Sequence, residues 1–309
     1  MSYESEMLKK FDMPPRKEVK QAILKSLFRH EGVIQEFSSD EEIVDEIAND
    51  FGLNEEQRDA YLETVYKKED RVKRSNLWHR LLYRAADSLA KSNLVSRPSK
   101  TIELTNEREW MLTEKGFDNA LKLLRIPTEH KDFLLTKSYE VQKIVKQLNG
   151  TSRPTNYNPV NKQKKKVKIT KKSNLRSRGF RQAVIQAYDF KCSICGLKIK
   201  SPNLSFWEVQ AAHIVPNSFK GKDDVFNGLA LCHLHHWAFD VGWFTLRDNY
   251  IPEVSTQYKN FPSSFGRIGN HDLIGSLNSK NKPIYLPENE NIYPHQRSLQ
   301  WHRQNVFHN

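Results

Sequence analysis

The feature that most constrains the fold of this chain is the grouping of its only three cysteines with one histidine. Two residues separate Cys192 from Cys195, and two residues likewise separate Cys232 from His235 further along the chain. Two chelating pairs of thiolate and imidazole ligands are typical of a closed tetrahedral zinc site that holds a fold together. Two incidental turns are the alternative, but the pattern uses every cysteine present. We therefore predict a structural zinc ion, with Gly196 allowing the tight turn after the first pair.

A second group of histidines lies inside the loop that this zinc ion would close. The pattern predicts a strand from Glu208 to His213, a loop and short strand from Asn227 to Leu231, and a helix from His233 to Val241. His236 and Asp240 are four residues apart on that helix, so they project from one face and can share a metal ion. For His213 alone, a buried histidine with satisfied hydrogen bonds is the alternative interpretation.

The order of these elements, with His213, Asn227 and His236 in sequence, resembles the ββα-metal HNH endonucleases. The closer resemblance is to their restriction-type branch, whose pattern AHI-x-P…NGL-x-LC-x-x-HH-x-x-FD-x-G matches this sequence at every fixed position. The resemblance implies hydrolysis of a phosphodiester bond by a histidine base and one divalent metal ion. His213 would be the general base, Asn227 would orient it, and His236 would bind Mg²⁺ or Mn²⁺.

One position departs from the HNH pattern. Many members carry a metal-binding aspartate immediately before the general base, and Ala212 stands in that place here. We expect Asp240 to replace it as the second protein ligand of the catalytic ion. The division of the adjacent pair His235 and His236 between zinc and catalysis rests on spacing, and His233 is an alternative ligand.

The net charge of +12 is concentrated in one stretch of the chain. Residues 141–188 carry thirteen Lys or Arg and no Asp or Glu, and therefore hold essentially all of the excess positive charge. From Thr151 to Ser177 the chain is polar and basic, which predicts a flexible linker that contacts DNA phosphates through lysines such as Lys164, Lys165 and Lys166. A linker that only solubilises the chain and a nuclear-localisation signal are the alternative interpretations.

The first third of the chain shows helical periodicity. Helices are predicted from Lys17 to Arg29, from Glu41 to Phe51 after a capping box at Ser39, from Asn54 to Tyr61, from Ser75 to Ala90 and from Thr113 to Leu124. Asn93–Val95 and Glu109–Leu112 are predicted strands, and a polar turn covers residues 96–101. Three main helices and a two-stranded hairpin indicate a winged helix. Further along, a helix is predicted at 134–148, strands at 243–246 and 284–287, and a last helix within 294–307.

A run of core and turn residues in this region resembles the N-terminal winged-helix domain of Mrr-type restriction proteins. It comprises Asn76-Leu-Trp78, Leu89, Asn93-Leu-Val95, Trp110-Met-Leu-Thr113 and Gly116. The resemblance implies duplex DNA binding, with the helix from Ser75 to Ala90 in the major groove and two basic residues on the wing. The contact residues would be His79, Arg80, Tyr83, Arg84, Arg97 and Lys100. A winged helix that binds another protein is the alternative.

Together these patterns predict an α+β chain in three parts: a winged-helix DNA-binding domain at 1–125, a helical segment and basic linker at 126–177, and a zinc-stapled ββα-metal HNH nuclease domain at 178–309. The predicted function is a restriction or defence endonuclease that acts on double-stranded DNA, and selection of modified cytosine is a hypothesis. A homodimer is expected, because one HNH site cuts one strand. A DNA-binding regulator with a purely structural zinc module is the rival prediction, and an RNA-directed nuclease is a third.

Composition and the first residues indicate the cellular compartment of the protein. The mean hydropathy is −0.72, and the sequence contains no run of about 18 apolar residues of the kind that spans a membrane. The first residues are acidic and lack the apolar core of a secretory signal. Three cysteines are too few for a disulfide framework and favour a reducing compartment. We expect a cytoplasmic protein.

Overall fold

The computed structural model describes residues 3–37, 42–66, 71–161, 171–202, 206–262, 264, 266–268, 271–278 and 281–309. The chain divides into two compact units, Met1–Gln142 and Lys143–Asn309. Within the described residues, no helix is both long enough and apolar enough to cross a membrane.

Among its described residues, the N-terminal unit contains seven complete α-helices, a short 3₁₀ helix at Thr128–Asp132 and five strands. The helices are α1 (Tyr3–Lys10), α2 (Arg16–Arg29), α3 (Glu42–Asp50), α4 (Glu55–Arg58), α5 (Leu77–Lys91), α6 (Pro98–Thr105) and α7 (Glu114–Leu123). The strands are β1 (Val33–Gln35), β2 (Tyr61–Tyr66), β3 (Arg71–Asn76), β4 (Val95–Ser96) and β5 (Glu109–Leu112). β5 pairs antiparallel with β1 on one side and β4 on the other, and β2 and β3 form a separate hairpin.

The core of this unit forms where α2 packs against α5 and α7. The three helices are amphipathic, and burying their apolar faces is the main driving force for the packing. Side-chain caps fix where two of them begin: Asn76 accepts from the N–H of His79 at the start of α5, and Thr113 accepts from the N–H of Gly116 at the start of α7. Each cap therefore fixes the residue at which the helix begins, and with it which side chains of the helix face the core.

The predicted helices of this unit are present with ends shifted by a few residues, although the capping box at Ser39 lies outside the described residues. The predicted polar turn at 96–101 is wrong, because Pro98 at the first helical position starts α6 there. The strand predicted at 93–95 begins only at Val95, because Asn93 has a φ of 56°, outside the strand region. β1 and the β2–β3 hairpin were not predicted.

The C-terminal unit is built around a β-hairpin followed by a helix. Its elements, the first of which begins at the end of the N-terminal unit, are α8 (Tyr139–Asn149), α9 (Lys171–Ala187), β6 (Val209–His213), β7 (Gly228–Cys232), α10 (His233–Asp240), β8 (Phe244–Leu246), β9 (Pro252–Val254), β10 (Arg267–Ile268), β11 (His271–Asp272), α11 (Leu273–Asn278) and α12 (Gln296–Asn305). β6 and β7 pair antiparallel, with His213 opposite Gly228 and Val209 opposite Cys232. The ββα order predicted for residues 208–241 is therefore present.

Two helices hold the ββα unit from either side. α9 packs on both β6 and β7, and buries Phe180 and Val184. α12 packs on β8, where the buried ring of His302 stacks on Phe239 of α10. The C-terminal helix consequently fixes the far side of α10.

The linker prediction needs correction at both of its ends. Residues 151–161 are folded onto the C-terminal unit, because Tyr157 is 3% exposed and Arg153 donates to the carbonyls of Tyr293 and Pro294. Residues 171–177 belong to α9. Lys164, Lys165 and Lys166 lie outside the described residues.

The strand predicted at 284–287 is also absent. The N–H of Ile284 donates to Tyr250, whereas the N–H of Tyr285 donates to Ser193. Successive residues thus bond to two different segments, so no ladder forms.

Candidate active site

The four predicted zinc ligands come together. One ligand atom from each of Cys192, Cys195, Cys232 and His235 lies within 4.8 Å of all the others. Nδ1 of His235 is 2.9 Å from the Cys232 sulfur and 3.7 Å from the Cys192 sulfur. Three thiols and one imidazole in a mutually adjacent group are the donor set that zinc prefers, and ligand distances of about 2.0–2.3 Å would be reached by small shifts.

Local backbone geometry explains how the first cysteine pair reaches this position. Gly196 has a φ of 77°, and its N–H donates to the carbonyl of Cys192 at 2.8 Å, which closes the turn. The second pair is placed by the β7–α10 junction, where Cys232 ends the strand and His235 lies in the first turn of the helix. The cluster therefore ties the turn to the start of α10.

The thiols and the imidazole already influence one another electrostatically. Hydrogen bonds with Cys192 and Cys232 lower the pKa of Cys195 well below its usual range. Burial lowers the pKa of His235, but hydrogen bonds with Cys192 and Cys195 outweigh burial and raise it to about 9. The group favours at least one thiolate, which is the protonation state that binds a metal cation.

His213 sits at the end of β6 with both its ring plane and one nitrogen fixed. Its ring stacks on Phe180 of α9, with centroids 4.1 Å apart and planes 24° apart. Its Nε2 lies 3.0 Å from Oδ1 of Asp223. Because a carboxylate only accepts hydrogen bonds, Nε2 carries the proton and Nδ1 keeps its lone pair. Nδ1 of His213 is therefore the ring nitrogen that can accept a proton.

Asn227 is fully buried and holds the loop that follows His213. Its side-chain oxygen accepts from the N–H of Val215 at 2.8 Å, and its nitrogen donates to the carbonyls of Val215 and Lys222 at 3.1 and 3.0 Å. Gly221 permits this approach, because a Cβ there would lie 1.8 Å from the Val215 oxygen. The hydrogen bonds of the Asn227 side chain go to the loop and not to His213, and one of them fixes Lys222, the residue before Asp223. The effect of Asn227 on His213 therefore passes through the loop.

His236 and Asp240 project from the same face of α10, as their spacing predicts. Nε2 of His236 lies 3.4 Å from Oδ2 of Asp240. Two ligands about 2.1 Å from one ion can be separated by this distance, so the pair fits a shared Mg²⁺ or Mn²⁺. Burial lowers the pKa of His236 and raises that of Asp240, and the charge of His213 acts on both. The predicted base therefore lies within electrostatic reach of the predicted metal ligands.

Ala212 is completely buried on β6. Gln210, two residues earlier and so on the same side of the strand, reaches α10 instead. Its Oε1 is 2.8 Å from Nδ1 of His236, and its Nε2 is 2.7 Å from Nε2 of His233. Nδ1 of His233 lies 3.2 Å from Oε1 of Glu208. The two ring nitrogens of His233 are therefore hydrogen bonded to Gln210 and Glu208, and not to the cysteine cluster or Asp240.

Three residues at this site were missed by the sequence reasoning: Phe180, Asp223 and Gln210. Phe180 and Asp223 contact His213, and Gln210 contacts His236. The adjacent acids Asp223 and Asp224, between His213 and Asn227, were the available signal in the sequence. Tyr157, inside the segment predicted to be a flexible linker, was also missed, and its hydroxyl donates to Asp224 at 2.6 Å.

The predicted DNA-contact residues of the N-terminal unit lie mostly in ion pairs or hydrogen bonds. Arg80 and Arg84 on α5 each lie 2.7 Å from the carboxylate of Glu4 on α1. The side chain of Arg97 lies 2.6 Å from Asp87, and the Tyr83 hydroxyl donates to the carbonyl of Phe37.

The remaining two predicted contact residues are His79 and Lys100. The backbone N–H of His79 is capped by Asn76 at the start of α5. Lys100 is exposed in the first turn of α6. Arg97 directly precedes this helix and Lys100 belongs to it, so a helix start stands where the sequence predicts a polar turn.

Comparison with known proteins places the site in a family. Residues 192–247 match the HNH endonuclease family, so this stretch is an HNH endonuclease domain. A solved structure, the modification-dependent TagI restriction endonuclease, aligns over 43% of this chain with 20% identity and a TM-score of 0.30. The aligned part covers 39% of that protein's chain. No curated protein matches.

Proposed function

We propose that this chain is a DNA endonuclease of the restriction type, which hydrolyses phosphodiester bonds with a histidine base and one divalent metal ion. The observation that carries the proposal is that one ββα unit holds both His213, whose Nε2 lies 3.0 Å from Asp223, and the His236–Asp240 pair of the helix that follows. The match of residues 192–247 to HNH endonucleases supports the same assignment.

The chemistry of the substrate accounts for these residue types. A phosphodiester repels nucleophiles through its own charge and has a poor leaving group, so hydrolysis needs a base, a cation and a proton donor. Mg²⁺ or Mn²⁺ held by His236 and Asp240 would offset the charge on the phosphate and provide a bound water to protonate the departing oxygen. The remaining requirement, activation of the attacking water, falls to the protein.

His213 meets that requirement through Nδ1, which accepts the proton of the attacking water. The Asp223 carboxylate then faces the imidazolium across its Nε2–H and stabilises the new positive charge. Stacking on Phe180 keeps the ring from rotating away from the water. Asn227 acts as a positioning residue, because it fixes the loop that carries Asp223.

The cluster of Cys192, Cys195, Cys232 and His235 is proposed to bind a structural zinc ion and to take no part in the chemistry. Its four positions are filled by protein ligands, which leaves none for a substrate or water. His235 immediately precedes His236, so zinc at this cluster would fix the start of α10 and thereby the catalytic ligand beside it.

The N-terminal unit is proposed to bind duplex DNA as a winged helix, with α5 as the helix that enters the major groove. The elements α2, β1, α3, α5, β4 and β5 follow one another in this sequence, with α4, the β2–β3 hairpin and α6 inserted between them, and β1 joins the β4–β5 pair, which supports this proposal. His79, Arg80, Tyr83, Arg84, Arg97 and Lys100 remain the proposed contacts, and Lys164, Lys165 and Lys166 would add phosphate contacts. Selection of modified cytosine and cutting as a homodimer belong to the same proposal.

A plasmid assay tests the proposal against its rivals. The full chain is incubated with methylated and unmethylated supercoiled plasmid, with and without Mg²⁺ or Mn²⁺. Cutting that needs the metal ion supports the nuclease, and a preference for one plasmid would show whether modification is selected. Binding without any cutting of either DNA would instead favour a DNA-binding regulator, and preferential cutting of RNA would favour the RNA-directed nuclease.

A further inference from the structure

A continuous chain of hydrogen bonds leads away from His236 toward the surface. Nδ1 of His236 meets Oε1 of Gln210 at 2.8 Å, and Nε2 of Gln210 meets Nε2 of His233 at 2.7 Å. Nδ1 of His233 then lies 3.2 Å from Oε1 of Glu208. His236 and His233 belong to α10, Gln210 belongs to β6, and Glu208 immediately precedes β6, so the chain spans the join between the helix and the strand.

Each hydrogen bond in this chain determines which atom is the donor and which is the acceptor in the next one. The Gln210 oxygen can only accept, so Nδ1 of His236 carries the proton. The Gln210 nitrogen can only donate, so Nε2 of His233 is the acceptor and its proton is on Nδ1. That proton points to the Glu208 carboxylate, which can only accept. One proton arrangement of the two neutral rings therefore satisfies every contact.

The same arrangement determines which nitrogen of His236 is available to a cation. With the proton on Nδ1, the lone pair is on Nε2, and Nε2 is the atom that lies 3.4 Å from Oδ2 of Asp240. A metal-binding histidine requires this division of roles between its two nitrogens, and an acceptor for its other N–H both fixes the tautomer and makes the ring a better ligand.

We infer that Gln210 and His233 are positioning residues that hold His236 in the tautomer and ring orientation required for binding the catalytic divalent cation. The inference rests on the proposed function, in which His236 is a metal ligand. It also gives β6 a role at the metal site in spite of Ala212, because Gln210 projects from the same side of the strand.

His233 is not held in place by packing in the core. Its side chain is 59% exposed, so it contributes little to the core, yet both of its ring nitrogens are hydrogen bonded. Glu208 has a separate structural role, because it also accepts from the backbone N–H of His233 at the start of α10. Gln210 and His233 are therefore the residues to change.

The first test measures Mn²⁺ binding by the zinc-loaded full chain, using calorimetry or the loss of the free Mn²⁺ resonance. Gln210→Leu removes the acceptor for His236 and should weaken Mn²⁺ binding about 10- to 100-fold. Gln210→Glu keeps an acceptor and should bind Mn²⁺ at least as well as the wild type. His233→Ala should weaken binding by a smaller factor. Gln186→Leu, a half-buried glutamine of α9, is the matched control.

The second test reads the tautomer directly from long-range ¹⁵N–¹H spectra of the metal-free full chain at alkaline pH. The expected result is a proton on Nδ1 of both His236 and His233 in the wild type, with loss of that preference at His236 in Gln210→Leu. This readout needs neither Mn²⁺ nor activity, so it remains informative if the chain proves not to be a nuclease.

Three outcomes would overturn the inference even if His236 and Asp240 are the metal ligands. The first is a wild-type His236 with its proton on Nε2, and the second is a Gln210→Leu variant that binds Mn²⁺ as the wild type does. The third is equal loss of binding in Gln210→Glu and Gln210→Leu, which would indicate a purely structural role. Correct tautomers without Mn²⁺ binding by any form would contradict the proposed metal ligands, and with them the metal-positioning role inferred here.

Discussion

Oδ1 of Asp223 lies 3.0 Å from Nε2 of His213, so a carboxylate accepts the N–H of the ring assigned as the general base. The loop that carries Asp223 is fixed on one side by Asn227 and on the other by Tyr157, which donates to Asp224. His213 is therefore oriented by residues that lie before and after its strand in the sequence, and one of them, Tyr157, precedes the matched HNH stretch.

Replacing Asp223 with Asn should lower kcat roughly 100-fold and leave the KM for DNA nearly unchanged. The amide keeps the size of the side chain but removes the charge that stabilises the His213 imidazolium, and general-base contributions are about 10²- to 10⁴-fold. Asp224→Asn is the matched control, because its oxygen can still accept from Tyr157. Single-turnover cleavage of a labelled duplex gives the rates, and equal rates for Asp223→Asn and the wild type would exclude this role.

His302 should make the stability of the C-terminal unit depend on pH. The ring is 1% exposed, and burial lowers its pKa to about 4 against a hydrogen bond with the Phe239 carbonyl that raises it. The unfolded chain protonates near pH 6.5, about 2.5 units higher, so the folded state loses up to about 3 kcal/mol as the pH falls from about 6.5 to 4. His302→Gln should remove this part of the dependence.

Urea unfolding of wild type and His302→Gln at about pH 7.5 and about pH 5 measures that difference. Other groups that titrate, including the zinc ligands, contribute equally to both proteins and cancel. Parallel loss of stability in the two proteins between these pH values would contradict the assignment to His302.

Cys195→Ser should release the structural metal ion. The wild type is expected to contain one zinc per chain by elemental analysis, and the variant should contain far less and unfold at a lower temperature, because zinc binding contributes to folding. Brief treatment of the wild type with EDTA should remove Mg²⁺ and stop cutting without removing zinc. A zinc-free variant that unfolds at the wild-type temperature would show that the cluster is not structural.

Glu4→Gln should strengthen DNA binding by several-fold. The carboxylate of Glu4 forms ion pairs with Arg80 and Arg84, which are proposed to contact DNA phosphates, and these ion pairs compete with binding to DNA. Arg84→Gln should weaken binding and reduce the slope of log K against log salt by about one. Arg29→Gln, which removes a comparable ion pair with Asp50 on other helices, is the control.

Electrophoretic mobility shifts at several salt concentrations provide these values. Binding by Arg84→Gln with the wild-type affinity and salt dependence would show that this face of α5 does not meet the phosphate backbone.

The grouping of three cysteines with His235 and the ββα order could be predicted because both follow from local spacing. Pairs such as Cys192 and Cys195, or His236 and Asp240, are brought together by one turn or one helix, and short-range geometry fixes them. Asp223 and Gln210 could not be assigned in this way. Their roles depend on which residue lies opposite in the folded loop or across the strand–helix join, and a single sequence does not show that.

The errors in the N-terminal unit and the linker have physical causes of the same kind. The 96–101 stretch is polar, but Pro98 favours a helix start, and Thr101 is buried with its hydroxyl bonded to the carbonyl of Glu109. Residues 151–161 have the composition of a flexible linker, but Tyr157 anchors them in the C-terminal unit. In both segments a few tertiary contacts outweigh local composition.

The most direct test of the account is the rate at which His213→Ala cuts DNA. The variant should keep its zinc, its fold and its affinity for duplex DNA, since His213 lies outside the zinc cluster. Its single-turnover cleavage rate in saturating Mg²⁺ or Mn²⁺ should fall about 10²- to 10⁴-fold, because the base that activates water is lost. Cleavage by His213→Ala at the wild-type rate would contradict the mechanism.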